Sequence, residues 1–67
     1  MDIRQLEQFV AVYEEGSFSQ AARRAKCTQP ALSVQIRHLE DDLGVPLFTR
    51  SRRGVAPTVA GKRLYAR

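Results

Sequence analysis

The first apolar pattern of the chain has the period of a helix. Five apolar side chains fall on one side of a helix with about 3.6 residues per turn: Ile3, Leu6, Phe9, Val10 and Tyr13. Gly16 follows them, and a glycine just past a helix end commonly takes the left-handed conformation that closes it. The pattern predicts a first helix that ends before Gly16 and buries this stripe.

A short, alanine-rich segment comes next and predicts a second helix. Ser19 is a good N-cap residue, and Ala21, Ala22 and Ala25 give the inner side of the helix little bulk. Small side chains let another helix approach closely. We expect Phe18, in the connection, to fill the core against the first helix.

A third helix is predicted after a connection of three residues, 26–28. Thr28 is its expected cap, and Pro30 fits the first turn, where the N–H group that proline lacks has no intrahelical partner. The stripe expected to be buried consists of Leu32, Ile36, Leu39 and Leu43. Gly44 is expected to end the helix. Two helices joined by so short a turn form a helix-turn-helix pattern, here at about residues 18–37.

Beyond the third helix the pattern predicts a small hairpin. The apolar segment 45–48, which leads to Thr49 and Arg50, predicts a short first strand, and residues 55–57 could return beside it. Residues 51–54 between them have turn composition, with two arginines at the tip. Such a hairpin would form a basic wing beside the helices.

The predicted fold is therefore mainly α: a winged helix-turn-helix with a three-helix core and a small two-stranded wing at about residues 47–57. Thr58 is expected to cap a fourth helix that starts at Val59. Because 67 residues suffice for one domain only, we expect that domain over residues 1–58 and the start of a further helix at 59–67.

The charges of the chain are unevenly distributed. All seven acidic residues lie within residues 1–42, where five basic residues leave a balance of −2. Residues 43–67 carry six basic residues and no acid, so the net charge of +4 comes from the last third of the chain. A cationic segment of this kind favours binding to a polyanion.

Other classes of protein are not indicated. Cys27 is the only cysteine, so no intrachain disulfide can form. No apolar run approaches the roughly 18 residues of a membrane span, and the N-terminus is polar where a signal peptide is apolar. We expect a cytoplasmic protein with no cofactor in this chain and no membrane partner.

Residue patterns typical of an enzyme or a metal site are also missing. The sequence shows no nucleophile paired with a base and no glycine loop for phosphate. His38 lies close in sequence to Glu40, Asp41 and Asp42, but helical spacing scatters these four side chains around the helix. We therefore expect neither catalysis nor a bound metal ion.

The third helix opens with small, neutral side chains and carries no charge before Arg37. A recognition helix enters the DNA major groove with its first residues against base edges, where carboxylates would be repelled by phosphate. Gln29 can pair with adenine, Ser33 can donate or accept, and Arg37 can reach guanine or phosphate. Pro30 and Val34 can pack on a thymine methyl. The predicted DNA contacts of this helix are Thr28, Gln29, Pro30, Ser33, Val34 and Arg37.

The basic wing is predicted to bind the phosphate backbone. Arg50, Arg52 and Arg53 are the candidates, and an arginine at the tip can enter a minor groove. Phosphate contacts supply affinity that falls with salt. Arg23, Arg24 and Lys26 are weaker candidates, because a solvated helix face explains them equally well.

These residues together resemble the N-terminal winged helix-turn-helix domain of the LysR-type transcriptional regulators. The similarity runs from Ile3 to the end of the chain. It rests on Phe18, Ala21, Ala22, Gln29-Pro30-Ala31-Leu32-Ser33, Ile36, Leu39-Glu40, Leu43-Gly44, Leu47-Phe48, Arg50, Thr58 and Ala60-Gly61. So many matches at fixed spacing form a specific signal.

The resemblance implies a bacterial regulator that binds partly palindromic promoter sites as a homodimer or tetramer. In this family the fourth helix extends into a long linker that pairs two subunits, and a C-terminal domain senses a small effector. Residues 59–67 would be the start of that linker, with the effector-binding domain absent from this chain. The family's contact positions fall on Gln29, Pro30, Ser33, Val34, Arg37, Arg50 and Arg53.

Two residues depart from the family's pattern. Position 34 is frequently arginine, whereas Val34 has no group that hydrogen-bonds a base, so a thymine methyl is its alternative partner. Pro57 replaces a more usual leucine and could shorten the second wing strand.

A second hypothesis is a winged helix used for protein interaction or dimerisation. It requires an exposed apolar patch, for which the sequence offers only Val34 and the fourth helix. Salt discriminates the two hypotheses, because DNA binding weakens steeply with added salt and apolar association does not.

Overall fold

The computed structural model describes residues 1–67 and contains four helices and one two-stranded antiparallel sheet. In chain order the elements are α1 (Ile3–Glu15), α2 (Phe18–Ala25), α3 (Gln29–Leu43), β1 (Phe48–Ser51), β2 (Gly54–Pro57) and α4 (Val59–Ala66). This arrangement confirms the predicted winged helix-turn-helix. Measured by length and hydropathy, none of the four helices qualifies as a membrane span.

Each helix begins at a polar side chain that accepts a hydrogen bond from a backbone N–H three residues ahead. The caps are Asp2, Ser17, Thr28 and Thr58, with acceptor distances of 2.8, 3.2, 3.2 and 3.1 Å. Thr28 and Thr58 confirm the predicted starts of α3 and α4. The prediction of Ser19 as the cap of α2 is wrong, because Ser17 has the extended backbone of a cap and Phe18 already lies in the first turn.

The core lies where α1, α2 and α3 meet, and the wing adds to one side of it. Its largest fully buried side chains are Phe9, Leu32, Ile36, Leu39, Leu47 and Val12. Phe18 is buried as predicted, and Ala21 and Ala22 are buried between the helices. The prediction that Leu43 is buried is wrong: 41% of the residue is exposed, in the last turn before Gly44.

The buried side of α1 differs from the predicted one. Ile3 and Leu6 are 73% and 37% exposed, whereas Gln5 and Gln8 face inward beside Phe9. The Nε2 of Gln5 donates to the Oε1 of Gln35 on α3 at 3.2 Å, a contact consistent with the side of α1 that buries Phe9 and Val12. The predicted stripe is therefore wrong for Ile3 and Leu6, whereas Phe9 is buried and Val10 and Tyr13 pack half-buried against the core.

The first wing strand begins later than predicted, at Phe48 instead of residue 45. The carboxylate of Glu40 accepts the backbone N–H groups of Leu47 and Phe48 at 2.7 and 3.3 Å, and the carbonyl oxygen of Leu47 accepts the N–H of Thr58 at 2.9 Å. The bond between Leu47 and Thr58 follows the register of the hairpin, but the N–H of Leu47 is taken by Glu40 and cannot donate to the second strand. The second strand includes Pro57 and is as long as the first.

Candidate nucleic-acid interface

One side of α3 presents the predicted contact residues to solvent. Gln29, Pro30, Val34 and Arg37 are exposed, and Ser33 is half-buried. The opposite side carries the buried Leu32, Ile36 and Leu39. This separation follows from the 3.6-residue period, since an apolar stripe on one side leaves the other for polar or small residues.

The polar side chains on this exposed side have no partner within the chain. No hydrogen bond or ion pair engages the side chains of Gln29, Ser33 or Arg37. Thr28 differs, because its hydroxyl accepts the N–H of Ala31 and so acts as a helix cap. The donors and acceptors of the other three residues remain available to an external ligand.

Arg52 and Arg53 occupy the tip of the hairpin, between the paired residues Ser51 and Gly54. Both are exposed, and neither guanidinium pairs with a carboxylate. The backbone N–H of Arg53 donates to the hydroxyl of Ser51 at 3.3 Å, which helps to order the turn. Two uncompensated cations at the end of a short hairpin are well placed to bind phosphate.

Arg50 has a packing role that the sequence did not reveal. Its Cζ atom lies 4.3 Å from the centroid of the Phe18 ring, a distance typical of a cation–π contact. Phe18 in turn meets Phe48 edge-on at 6.4 Å between ring centroids. Arg50 therefore joins the wing to the start of α2 and still has no carboxylate partner.

Arg24, by contrast, is tied within the protein. Its guanidinium pairs with Glu14 at 2.7 Å and with Glu15 at 3.2 Å. The hydrogen bonds that Arg24 donates to Glu14 and Glu15 raise the pKa of Arg24 above its ordinary value. Arg23 and Lys26 are exposed and make no such pair, so of the three weaker candidates they keep the more available charges.

The structure also has a surface groove away from the exposed side of α3. The largest concavity, about 700 Å³, is a half-open groove between α1 and the turn that leads into α3. It contains the half-buried Cys27 and no histidine. No group of three or more His, Cys, Asp and Glu side chains is arranged to hold a metal ion.

Comparisons with known proteins agree with this geometry. The family model described as "Bacterial regulatory helix-turn-helix protein, lysR family" matches residues 3–62. The chain is 55% identical over 62 residues to the HTH-type transcriptional regulator TfdT of Cupriavidus pinatubonensis, which covers 92% of this chain and 27% of that protein. It is 54% identical over 61 residues to the HTH-type transcriptional regulator ClcR of Pseudomonas putida, covering 91% of this chain and 21% of that protein.

Among solved structures, the fold is similar to that in the crystal structure of the CbnR_DBD-DNA complex. The TM-score is 0.94 at 44% sequence identity, covering 98% of this chain and 76% of that chain. The chain thus spans about three quarters of the chain in that structure, but only about a quarter of the length of TfdT.

Proposed function

Because the chain belongs to the lysR family of bacterial regulatory helix-turn-helix proteins, we propose that it binds double-stranded DNA sequence-specifically as part of a transcriptional regulator. The observation that carries this proposal is the exposed side of α3, where Gln29, Ser33 and Arg37 have no intrachain partner. The similar CbnR_DBD structure was solved as a complex with DNA. Regulation of transcription is a role without catalysis, and we propose no enzymatic activity.

In this proposal the first turns of α3 contact the base edges and recognise the sequence. Gln29 pairs with adenine through both ends of its amide, Ser33 donates or accepts at a neighbouring base edge, and Arg37 reaches guanine or phosphate. Val34, 50% exposed, offers a surface for a thymine methyl and no hydrogen bond. Pro30 and the cap Thr28 shape the end of the helix that enters the groove.

In this proposal the wing supplies most of the affinity for DNA. Arg52 and Arg53 bind phosphates or the minor groove beside the half-site, and Arg50 adds positive charge at the base of the hairpin. Each phosphate neutralised contributes about −0.9 to the slope of log affinity against log salt. Binding should therefore weaken strongly as salt is added.

The parts of the regulator outside this chain are also a matter of proposal. The relatives are several times longer than the chain, which covers 27% of TfdT and 21% of ClcR. We propose that α4 continues as a linker helix, that two or four copies bind a partly palindromic promoter site in the cytoplasm, and that a small effector binds in a separate domain. No cofactor is proposed for residues 1–67.

The test is a salt series of fluorescence-anisotropy titrations against a pool of randomised duplexes, followed by sequencing of the bound fraction. We expect steep salt dependence and enrichment of one sequence. Val34→Arg should change the enriched base at a single position, while Lys62→Gln, a charge removed from the exposed side of α4, should leave the enriched sequence unchanged. Equal affinity for enriched and random duplexes would rule out sequence-specific reading.

A second candidate, self-association through an apolar face, is favoured by one observation. Ile3 and Leu6 on α1 are exposed apolar residues that the sequence pattern had placed in the core. Sedimentation of the DNA-free chain at low and high salt separates this candidate from the first. Association that persists at high salt while DNA affinity is lost would show that self-association rests on apolar contacts and does not require DNA binding.

A further inference from the structure

The far end of α4 rests on α1 through an aromatic stack. The ring of Tyr65 lies on the ring of Tyr13 with 3.9 Å between centroids and only 6° between planes. The Tyr65 hydroxyl also donates a hydrogen bond to the Oε2 of Glu14, the residue after Tyr13. A stack fixes the plane of the ring, and the hydrogen bond fixes its direction within that plane.

The same carboxylate connects α1 to the helix-turn-helix. The Oε1 of Glu14 pairs with Arg24 of α2 at 2.7 Å, and Arg24 also pairs with Glu15 at 3.2 Å. Tyr13, Glu14, Arg24 and Tyr65, which we call the Tyr65 bracket, thus link α4 through α1 to α2. The bracket joins residues 51 positions apart in the sequence, from Glu14 to Tyr65.

The near end of α4 is attached independently. The Thr58 hydroxyl donates to the carbonyl of Pro46 at 2.7 Å. Gly61 approaches the backbone of Leu47 so closely that a Cβ atom at this position would lie 2.3 Å from the Leu47 carbonyl oxygen. Gly61 is also the only buried residue of α4. Ala60 and Leu64 pack half-buried against the core between these ends, and the hydrogen bonds of Thr58 and Tyr65 further limit how the helix can tilt.

We propose that Tyr65, acting through Glu14 and Arg24, is a positioning residue that fixes the direction in which α4 leaves the DNA-binding unit, and with it the separation of two recognition helices bound to one site. The second half of this statement rests on the proposed function. A helix held at one end can swing, whereas two attachment points define a line.

The chemistry of the bracket fits a geometric role better than a stabilising one. Its charged groups lie at the surface, where ion pairs contribute little to the free energy of unfolding. The hydrogen bond with Tyr65 and the pair with Arg24 hold the pKa of the Glu14 carboxyl below its ordinary value. Variants of the bracket should therefore fold normally and differ in the orientation of α4.

The direct test is a distance measurement by electron spin resonance in the whole 67-residue chain. Spin labels go on Asp41→Cys at the exposed end of α3 and on Arg67→Cys after α4, with Cys27→Ser to remove the native thiol. We expect a single narrow distance peak in this background. Tyr65→Phe, which keeps the stack and removes the hydroxyl, and Glu14→Ala should each lose the single narrow peak.

Matched variants separate positioning from a general loss of structure. Lys62→Gln changes an exposed residue of the same helix and should keep the narrow peak. The distance peak of the double variant Tyr65→Phe with Glu14→Ala should be no broader than the wider of the two single-variant peaks, since both substitutions remove the same contact. A peak that stays narrow in Tyr65→Phe and in Glu14→Ala would overturn the proposal.

DNA binding provides a second readout that mere stability would not change. Duplexes with one half-site should bind the background and Tyr65→Phe equally. In a full-length regulator, in which the proposed linker helix pairs two subunits, duplexes with two half-sites at varied separations should show a preferred separation only with Tyr65 intact. If Tyr65→Phe weakened binding to single half-sites as much as binding to double half-sites, the positioning role would be overturned. Failure of the unsubstituted chain to prefer its site over random DNA would instead overturn the proposed function, whatever the distance peak shows.

Discussion

The proposed DNA-reading surface and the Tyr65 bracket contain the same kinds of polar groups and use them in opposite ways. The reading surface, which consists of Gln29, Ser33, Arg37, Arg52 and Arg53, has no side-chain partner within the chain. In the bracket each polar side chain is engaged: Tyr65 with Glu14, Glu14 with Arg24, and Arg24 also with Glu15.

This difference shows that a net charge does not tell which charged side chains are available to a ligand. The net charge of +4 treats Arg24 and Arg53 alike, but Arg24 is neutralised by two carboxylates and Arg53 by none. Unpaired cations and amides keep their capacity for an external ligand, whereas paired ones maintain the arrangement of helices. The availability of a charge therefore depends on its neighbours in space and not on its place in the sequence.

The largest expected effect comes from Gly61→Ala, at the near attachment of α4, which holds the helix independently of the Tyr65 bracket. The new Cβ would overlap the Leu47 carbonyl oxygen at 2.3 Å, so either α4 or the backbone before the wing must move. We expect a loss of about 3 kcal/mol in the free energy of unfolding, as for severe overpacking. Chemical denaturation measures this loss, and Val59→Ala on the exposed side of the same helix is the control.

A second prediction concerns the C-terminal end of α3, where Glu40 is engaged within the chain while the residues at the N-terminal end are free to contact DNA. Glu40→Ala would leave the N–H groups of Leu47 and Phe48 without the acceptor that now holds them at 2.7 and 3.3 Å. Loss of an acceptor for part-buried donors should cost about 1–3 kcal/mol of unfolding free energy. Asp41→Ala, one residue on and exposed, is the control, and equal effects in the two variants would contradict the structural role of Glu40.

A third prediction concerns the reading end itself. Gln29→Ala should reduce discrimination at one base pair by about 1–3 kcal/mol, the range of a good bidentate contact, without lowering stability. Competition binding with single-base variants of the enriched site measures the discrimination, and thermal unfolding checks the stability. If all bases at all positions were affected equally, Gln29 would be contributing affinity and not reading.

Sequence predicted best the features that local chemistry determines. Thr28 and Thr58 start helices because their side chains accept the third N–H ahead, and Gly16 and Gly44 end helices with φ of 66° and 73°. These interactions span at most four residues. The same locality placed the predicted contacts of α3 on its exposed side, although which of them touch DNA stays a prediction.

Apart from the cap of α2, which is Ser17 and not Ser19, the features that sequence missed depend on contacts between distant residues. A helical period shows which side chains share a side of α1, but only the contact between Gln5 and Gln35 shows which side turns inward. The roles of Glu40 and Arg50 depend on Leu47 and Phe18, and that of Tyr65 depends on Glu14. No local signal marks any of these pairs, since a polar residue on a helix surface has the same pattern whether paired or free.

A fourth prediction compares cations of the two regions directly. Arg53→Gln should make the salt dependence of DNA binding shallower by about 0.9 in the log–log slope, the contribution of one phosphate contact. Arg24→Gln should leave the slope unchanged, because its charge is already compensated by Glu14 and Glu15. A shallower slope with Arg24→Gln would mean that the bracket opens when DNA binds, which would remove the distinction between the two regions.

The smallest expected effect is the pH dependence of the bracket. The hydrogen bond to Glu14 raises the pKa of Tyr65 above its ordinary 10.0 and lowers that of Glu14 below 4.5. Because the pKa of Tyr65 is raised on folding, its stabilisation is complete below pH 10.0 and is lost as the pH rises through the pKa of the folded state. Because the pKa of Glu14 is lowered on folding, its stabilisation is complete above pH 4.5 and is lost as the pH falls through the pKa of the folded state. The bracket should thus be intact between these limits. Ultraviolet titration of the chain, with Tyr65→Phe subtracted, isolates this tyrosine, and Glu14→Gln should bring its pKa back towards the ordinary value. An unchanged Tyr65 titration in Glu14→Gln would show that the hydroxyl does not depend on this carboxylate in solution.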